Sequence, residues 1–367
     1  MIHHKKRVVV KVGTSSFTGK RETLQESNPV LEALVKEICA LVQAGHEMIL
    51  VTSGAIGAGM KELGWSKRPE DLRKKQAAAA VGQVTLMQIY QKLFRAHGTH
   101  VAQVLLTRDD FEDRRRYLNA RSTLLNLLEL GVVPVINEND TVAVEEIQFG
   151  DNDRLSALVA AKIDADLLII LSNVDGLIRE EGGKKEVVSL IPKITPEIEK
   201  LAWRGVKSEL GTGGMTSKIE AAKMTTASGI TTHIANANAK HVLKDILEGK
   251  PVGTKFVSIR SMPAKDKWIL FGALPKGEIV VDSGAASAIK ELKKSILPAG
   301  VVRVTGSFHK GAVVSVKADG QPEFARGIAA FSSHQIEAVK GLKSADVKKQ
   351  LGSRPEIIHR DSLALLP

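Results

Sequence analysis

The chain has 367 residues, 43% of them hydrophobic and 25% charged, with a formal net charge of +11. That length suits two domains better than one core, and the composition excludes a disordered or collagen-like chain. Cys39 is the sole cysteine, which rules out an intramolecular disulfide and a cysteine-built zinc site and favours a cytoplasmic setting.

The first segment, MIHHKKRVVVKVG, places basic residues before a brief apolar run. The run is too short for a signal h-region or a membrane span, so no membrane association is expected and Arg7–Val12 reads as a strand. It ends in Lys11-Val12-Gly13-Thr14-Ser15-Ser16, where an ammonium, a glycine and hydroxyls suit contact with phosphate oxygens. A helix is predicted over Pro29–Ala44 from the stripe Leu31, Leu34, Val35, Ile38, Leu41 and Val42, with Cys39 a buried structural thiol. The strand Met48–Val51 runs into Thr52-Ser53-Gly54-Ala55-Ile56-Gly57-Ala58-Gly59. A glycine-rich turn opening a helix presents unpaired N–H groups and a positive dipole end to an anion. The order G-x-x-G-x-G differs from the dinucleotide fingerprint, and close helix packing is the alternative use of Gly57 and Gly59.

A long helix, Leu72–His97, then a strand, Val101–Leu106, and a helix, Asn119–Leu130, lead to the strand Val132–Ile136. That strand empties into Asn137, Glu138, Asn139 and Asp140, and a second cluster, Asp151, Asn152 and Asp153, precedes the helix Arg154–Ile163. Amide donors, carbonyl acceptors and fixed negative charge so close together suit recognition of a small polar ligand. Turn and helix-capping chemistry is the plainer use of one such cluster, and less so of two. After the strand Leu167–Leu171 comes a third glycine loop, Gly211-Thr212-Gly213-Gly214-Met215-Thr216-Ser217-Lys218, opening a helix over Met215–Ser228 with Gly229 as its C-terminal cap. Ser217 stands between the glycines and Lys218, so this is not a P-loop; it reads as a different phosphate cradle.

With Thr231–Ala235 as a sixth strand, short apolar strands alternate with helices over the first 260 residues. That order implies an α/β fold, a mainly parallel sheet covered on both faces, with ligands at the carboxyl ends of the strands. Each polar motif is expected directly after a strand. From about Pro251 prolines punctuate a junction, glycines multiply and strands shorten, as at Val301–Thr305 and Ala312–Val316. The expectation is a catalytic domain over 1–260, a linker over 261–276 and a small β-rich domain over 277–367 with one helix, Ala285–Lys294. From Lys276 to Pro367, 14 Lys and Arg face 9 Asp and Glu, an excess that fits an anionic partner such as nucleic acid or a solvated lysine surface.

Two lysines, two glycine-rich turns and two acid-amide clusters fit phosphoryl transfer to a small acidic acceptor, chemistry that is mostly positioning and charge stabilisation. No Ser-His-Asp order or H-E-x-x-H pattern competes.

The motifs KVGTSSFT, VTSGAIGAGM, INENDTVAVEEIQFGDNDRLSALVA and GTGGMTSK, in that order and spacing, resemble the amino-acid kinase family, in the branch that phosphorylates glutamate. The tail from Gly277 to about Val347 resembles a PUA domain, an RNA-binding type of module. The resemblance implies a three-layer αβα sandwich and ATP-dependent, magnesium-requiring phosphorylation of the γ-carboxylate of L-glutamate, the first step of proline synthesis. It puts Ser53, Asp140 and Asn152 around glutamate, and Lys11 and Lys218 on the transferring phosphoryl group, with Asp153 holding both lysines. Ser172, Asn173, Thr212, Gly213, Gly214, Met215, Thr216, Ser217 and Lys218 fall on the ATP side; no residue is assigned to the metal. It further implies inhibition by proline and assembly into dimers or tetramers. Ser172-Asn173 stands where the family usually has Thr-Asp, so a carboxylate is lost there while an acceptor of similar shape is kept. The alternatives are a relative acting on aspartate, carbamate, N-acetylglutamate or UMP, and an RNA-binding protein acting through its tail.

Overall fold

The computed structural model describes residues 5–13, 28–143, 152–181, 183–203, 214–258, 262–342, 346–347 and 356–366. The chain divides into two compact units, 1–261 and 262–367.

In the first unit, strands β1 (Arg7–Val12), β2 (Glu47–Val51), β3 (Val101–Leu106), β4 (Val133–Glu138) and β5 (Leu167–Ser172) alternate with helices. A hairpin of β6 (Ile178–Glu181) and β7 (Lys184–Val187) follows, then β8 (Leu190–Ile191), β9 (Thr231–Asn236) and β10 (Thr254–Phe256). The main sheet has the order β3-β4-β2-β1-β5-β9-β10-β8. Its first six strands are mutually parallel and β10 runs antiparallel to β9. The chain builds to one side of β1 through β2–β4 and then crosses to the other side with β5. This reversal opens a crevice at the carboxyl ends of the strands beside β1.

Strand alternation sorts the residues of β1 between two layers. Val8, Val10 and Val12 pack with helices α1 (Pro29–Gln43) and α3 (Leu72–Arg95). Val9 and Lys11 therefore face the opposite layer, where α6 (Asn152–Lys162) lies. Between α1 and α3 falls the shorter α2 (Ala55–Glu62), and between β3 and β4 come α4 (Asp109–Glu112) and α5 (Arg114–Glu129). Cys39 is buried in α1, and burial pushes its thiol pKa up, against a smaller opposing effect of Thr99. It belongs to the core and not to the site.

Two glycines set how closely α2 and α3 approach. A Cβ at Gly59 would lie 1.8 Å from the carbonyl oxygen of Ala78, and one at Gly82 would lie 1.8 Å from that of Ala55. Only hydrogen fits at this crossing, so Gly59 has the packing role.

Helix α6 is buried along almost its whole length, as a helix enclosed on all sides must be. Lys162 in its last turn is 1% exposed. Its ammonium donates to the carbonyl of Asp110 at 2.9 Å and lies 4.1 and 4.5 Å from the ring centroids of Phe111 and Tyr117. A carbonyl and two ring faces thus replace water around a buried cation, tying α6 to α4 and α5.

Several segments differ from their sequence-based bounds. Helix α5 starts at Arg114, five residues before Asn119, because Asp113 caps it by accepting the Arg116 N–H at 2.8 Å; its first turn is arginine-rich and carries no apolar stripe. Strand β4 continues through Asn137 and Glu138, paired with Leu105 and Leu106, so these are strand residues and not loop residues. The helix opened by the third glycine motif, α8 (Met215–Ala227), does not come directly after β5: the β6–β7 hairpin, the sheet strand β8 and α7 (Pro196–Trp203) precede it. Gly229, at φ +82°, closes α8 as the sequence suggests.

The second unit holds a five-stranded sheet in the order β12-β11-β13-β14-β15, with β11 at Glu278–Val281, β12 at Val301–Thr305, β13 at Val313–Ala318, β14 at Glu323–Ile328 and β15 at Leu363–Leu365. Its predicted helix covers Ser283–Leu292, begun by an Asp282 cap that accepts the Ala285 N–H and ended by Lys293 at φ +49°. The expected linker is folded over Ala264–Gly272: Trp268, Ile269 and Leu270 are buried, and Arg326 donates to the Leu270 carbonyl at 2.6 Å. Three adjacent apolar residues exposed in a linker would cost more than this packing does.

Among the described residues, no helix is long and apolar enough to cross a membrane.

Candidate active site

Lys11 is the penultimate residue of β1, and α6 begins at Asn152 and Asp153 on the layer that Lys11 faces. Lys11 Nζ lies 2.6 Å from Asp153 Oδ1. From the first turn of α8, Lys218 Nζ reaches Asp153 Oδ2 at 3.1 Å, and Ser217 Oγ donates to the same oxygen at 2.9 Å. The carboxylate is fully buried, and Lys11 and Lys218 are 5% and 6% exposed. Three segments, the outer two more than 200 residues apart in sequence, thus meet at one carboxylate.

Two ammonium groups on one carboxylate leave an excess of one positive charge in a low-dielectric setting, where Coulomb terms are large. The N-termini of α6 and α8 add their dipoles from the same side. Gly214 is the N-cap of α8 and provides no side-chain cap, and a helix N-terminus of this kind directs backbone N–H groups and a positive dipole end toward an anion. The arrangement suits an anion, and phosphate above others.

A chain of amides adjoins this cluster. Asn152 Nδ2 donates to the Thr52 carbonyl and to Asn137 Oδ1, the latter at 3.0 Å. Asn137 Oδ1 also accepts the Glu138 N–H at 2.9 Å, and Asn137 Nδ2 donates to Gln83 Oε1 on α3 at 3.0 Å. The Thr52 hydroxyl is 2.7 Å from the Tyr90 hydroxyl, which fixes the backbone that leads into half-buried Ser53. The Asp140 carboxyl, half-buried beyond β4, is pushed up to about 6 by burial, offset in part by Arg68. Asp140 lies in the turn that ends β4, and among the described residues no hydrogen bond or ion pair joins it to Lys11, Asp153 or Lys218.

Ser172 is buried at the end of β5, and Asn173 is exposed, with their side chains 3.4 Å apart. Nearby, Asn236 Nδ2 donates to Asp175 Oδ1 at 2.8 Å. Gly214, Met215, Thr216 and Ser217 begin α8, while Thr212 and Gly213, like Asp151 of the second acidic cluster, lie outside the described residues. The structure therefore gathers Lys11, Asp153, Ser217 and Lys218 into one bonded unit and sets Asn152 beside it. Sequence reasoning overlooked Gln83, Thr52 and Tyr90. A glutamine next to a glycine on an otherwise alanine-rich helix face is a weak signal, and Thr52 acts through a backbone carbonyl that any residue would supply.

The model for the amino acid kinase family matches residues 6–236, and that for the PUA domain matches residues 277–351. The chain is 46% identical over 366 residues to glutamate 5-kinase of Caldanaerobacter subterraneus subsp. tengcongensis, covering 98% of each chain. It is 46% identical over 363 residues to glutamate 5-kinase of Thermus thermophilus, covering 98% of this chain and 97% of that one. Against glutamate 5-kinase of Moorella thermoacetica it is 46% identical over 367 residues, covering 98% of this chain and 96% of the relative.

Proposed function

Because the chain belongs to the amino acid kinase family and carries a C-terminal PUA domain, we propose that it phosphorylates the γ-carboxylate of L-glutamate at the expense of ATP, giving L-glutamyl 5-phosphate and ADP. The observation that carries this reading is the buried Lys11–Asp153–Lys218 bridge with Asn152 at its side.

The chemistry makes demands that this residue set meets. A glutamate side-chain carboxylate has a pKa near ~4.3 and is ionised at neutral pH, so attack needs no general base. A carboxylate oxygen forms a bond to the γ-phosphorus while the bond from that phosphorus to the β,γ-bridging oxygen breaks, and ADP leaves with the electron pair. The obstacle is the approach of one anion to another. Lys11 and Lys218 supply positive charge at the transferring group, and Asp153 holds both ammonium groups in place before substrates arrive. Ser53, Asp140 and Asn152 take glutamate; Asp140 as carboxylate and Asn152 as carbonyl acceptor suit its α-ammonium. The N-terminus of α8, with Gly214–Ser217, together with Thr212, Gly213, Ser172 and Asn173, takes the nucleotide.

An anion site built of two ammonium groups and a helix N-terminus fits the phosphates of a nucleotide. Magnesium binds through phosphates, waters and one or two carboxylates, and when bound it draws charge from the β- and γ-oxygens. Among the described residues no three His, Cys, Asp or Glu side chains form a metal cluster, and Asp153 is committed to its lysines. Lys11 and Lys218 add their own positive charge at the transferring group. We also propose feedback inhibition by proline, assembly into dimers or tetramers, and RNA binding through the PUA domain.

ATP turnover should be assayed with glutamate, aspartate, carbamate, N-acetylglutamate and UMP side by side, with hydroxylamine present to trap acyl phosphates as hydroxamates. Glutamate should give a hydroxamate and stoichiometric ADP. Turnover with another acceptor and none with glutamate would overturn the reading.

A further inference from the structure

We infer that Gln83, on the opposite face of the sheet from α6, is a positioning residue that, through Asn137, holds the Asn152 side chain with its oxygen toward the substrate. The inference rests on the reading of Asn152 as a glutamate-binding residue, and it concerns a side chain two hydrogen bonds further out.

An amide has a donor end and an acceptor end of nearly the same shape. Two backbone groups fix the sense of this chain of amides. The Glu138 N–H can only donate, so the atom 2.9 Å from it is the oxygen of Asn137. The Thr52 carbonyl can only accept, so the atom facing it is the nitrogen of Asn152. Asn152 Nδ2 then donates to Asn137 Oδ1 at 3.0 Å, and both protons of that nitrogen are engaged. The Asn152 oxygen is left outside these bonds, an acceptor of the kind an α-ammonium requires.

Asn137 holds this sense only while its own nitrogen has an acceptor, because it is 2% exposed and has no recourse to water. Gln83 Oε1, 3.0 Å away, is that acceptor. Strand alternation points Asn137 toward α3, the side on which Val133 and Val135 pack, and Gln83 meets it there. The outer end of Gln83 meets Gln103, whose Oε1 is 3.5 Å from Gln83 Nε2. Gln103 is exposed and can turn its amide, so the required property of residue 83 is an oxygen toward Asn137 and not a nitrogen toward Gln103.

The test measures KM for glutamate, KM for ATP and kcat in the full chain for three substitutions. Gln83→Met keeps length and removes the acceptor; it should raise KM for glutamate about tenfold or more, with KM for ATP and kcat at saturating glutamate close to wild type. Gln83→Glu keeps the acceptor and should stay within about threefold of wild type. Gln83→Lys, of similar length but only a donor, should match or exceed the Met variant; it replaces that variant in the comparison should the latter not yield folded protein. Asn152→Ala runs alongside. If it raises KM for glutamate while Gln83→Met and Gln83→Lys do not, the inference about Gln83 is wrong and the substrate site stands. Parallel changes in both KM values and kcat would mean general loosening of the fold and would also overturn it. No change in Asn152→Ala would remove the substrate-site reading and this inference with it.

Discussion

Asp153→Asn is the perturbation that separates a built anion site from ordinary ion pairing. At an effective dielectric of about 20, the contacts at 2.6 and 3.1 Å correspond to about 6 and 5 kcal/mol of Coulomb attraction, much of it offset by desolvation. Removing one partner of a buried pair costs about 3–5 kcal/mol, because the charge left behind stays buried. An asparagine oxygen still accepts from one lysine, which puts the loss near 3 kcal/mol. For a unit of this size that is a fall in Tm of about 6–12 °C. Two uncompensated ammonium groups should then draw in an anion, so ATP should raise the Tm of the variant by more than that of the wild type. Turnover should drop about a hundredfold or more, since the lysines lose the group that positions them. Thermal unfolding with and without ATP, followed by steady-state kinetics, gives all three quantities. A variant with wild-type Tm, wild-type kcat and the same ATP-induced shift would refute the reasoning.

Three further outcomes follow from other parts of the molecule. Asp140 has its folded-state pKa raised to about 6 by burial, so KM for glutamate should climb as pH falls through 6, approaching tenfold per unit; Asp140→Asn should raise KM and flatten that dependence, and an unchanged slope would remove Asp140 from the substrate site. The same raised pKa means that stability from this group is present below its unfolded value near ~3.9 and is lost as pH rises through about 6. Asp140→Asn should therefore gain Tm relative to wild type at pH 8 and not at pH 4, and a gain confined to pH 4 would reverse the sign argued here. At the α2–α3 crossing, Gly82→Ala puts a Cβ 1.8 Å from a backbone carbonyl; a loss of about 3 kcal/mol or more is expected from denaturant melts, and a variant as stable as wild type would contradict the close approach.

The six parallel strands β1–β5 and β9 were legible to within a residue or two because a central parallel strand is one continuous apolar run between polar breaks, whereas the short strands β6, β7, β8 and β10 were not. Val8–Val10 and Leu167–Leu171 are such runs. The start of α5 was not legible: Arg114, Arg115 and Arg116 carry no periodicity, and Asp113 acts through a cap that looks like any exposed acid. The linker over 261–276 misled because prolines at its ends suggested an open junction, while Trp268, Ile269 and Leu270 between them are buried. At the site, the types and order of residues suggested phosphate and a small polar ligand; that Asp153 holds both lysines came only from the family resemblance, and its full burial from neither. That depends on α6 and α8 meeting over β1, a tertiary fact without a local signature. The buried chain from Gln83 to Asn152 was still less visible, since it joins residues 54 and 15 positions apart in sequence and the sense of Asn152 is set by a carbonyl 100 residues away.

The most direct test of the account is the single-turnover rate of glutamyl hydroxamate formation from ATP, glutamate and hydroxylamine in Lys11→Ala and Lys218→Ala. Each variant should be slower by about a hundredfold or more, roughly 3 kcal/mol of transition-state stabilisation, at saturating substrates. A wild-type rate in either variant would contradict the claim that these two buried ammonium groups carry phosphoryl transfer.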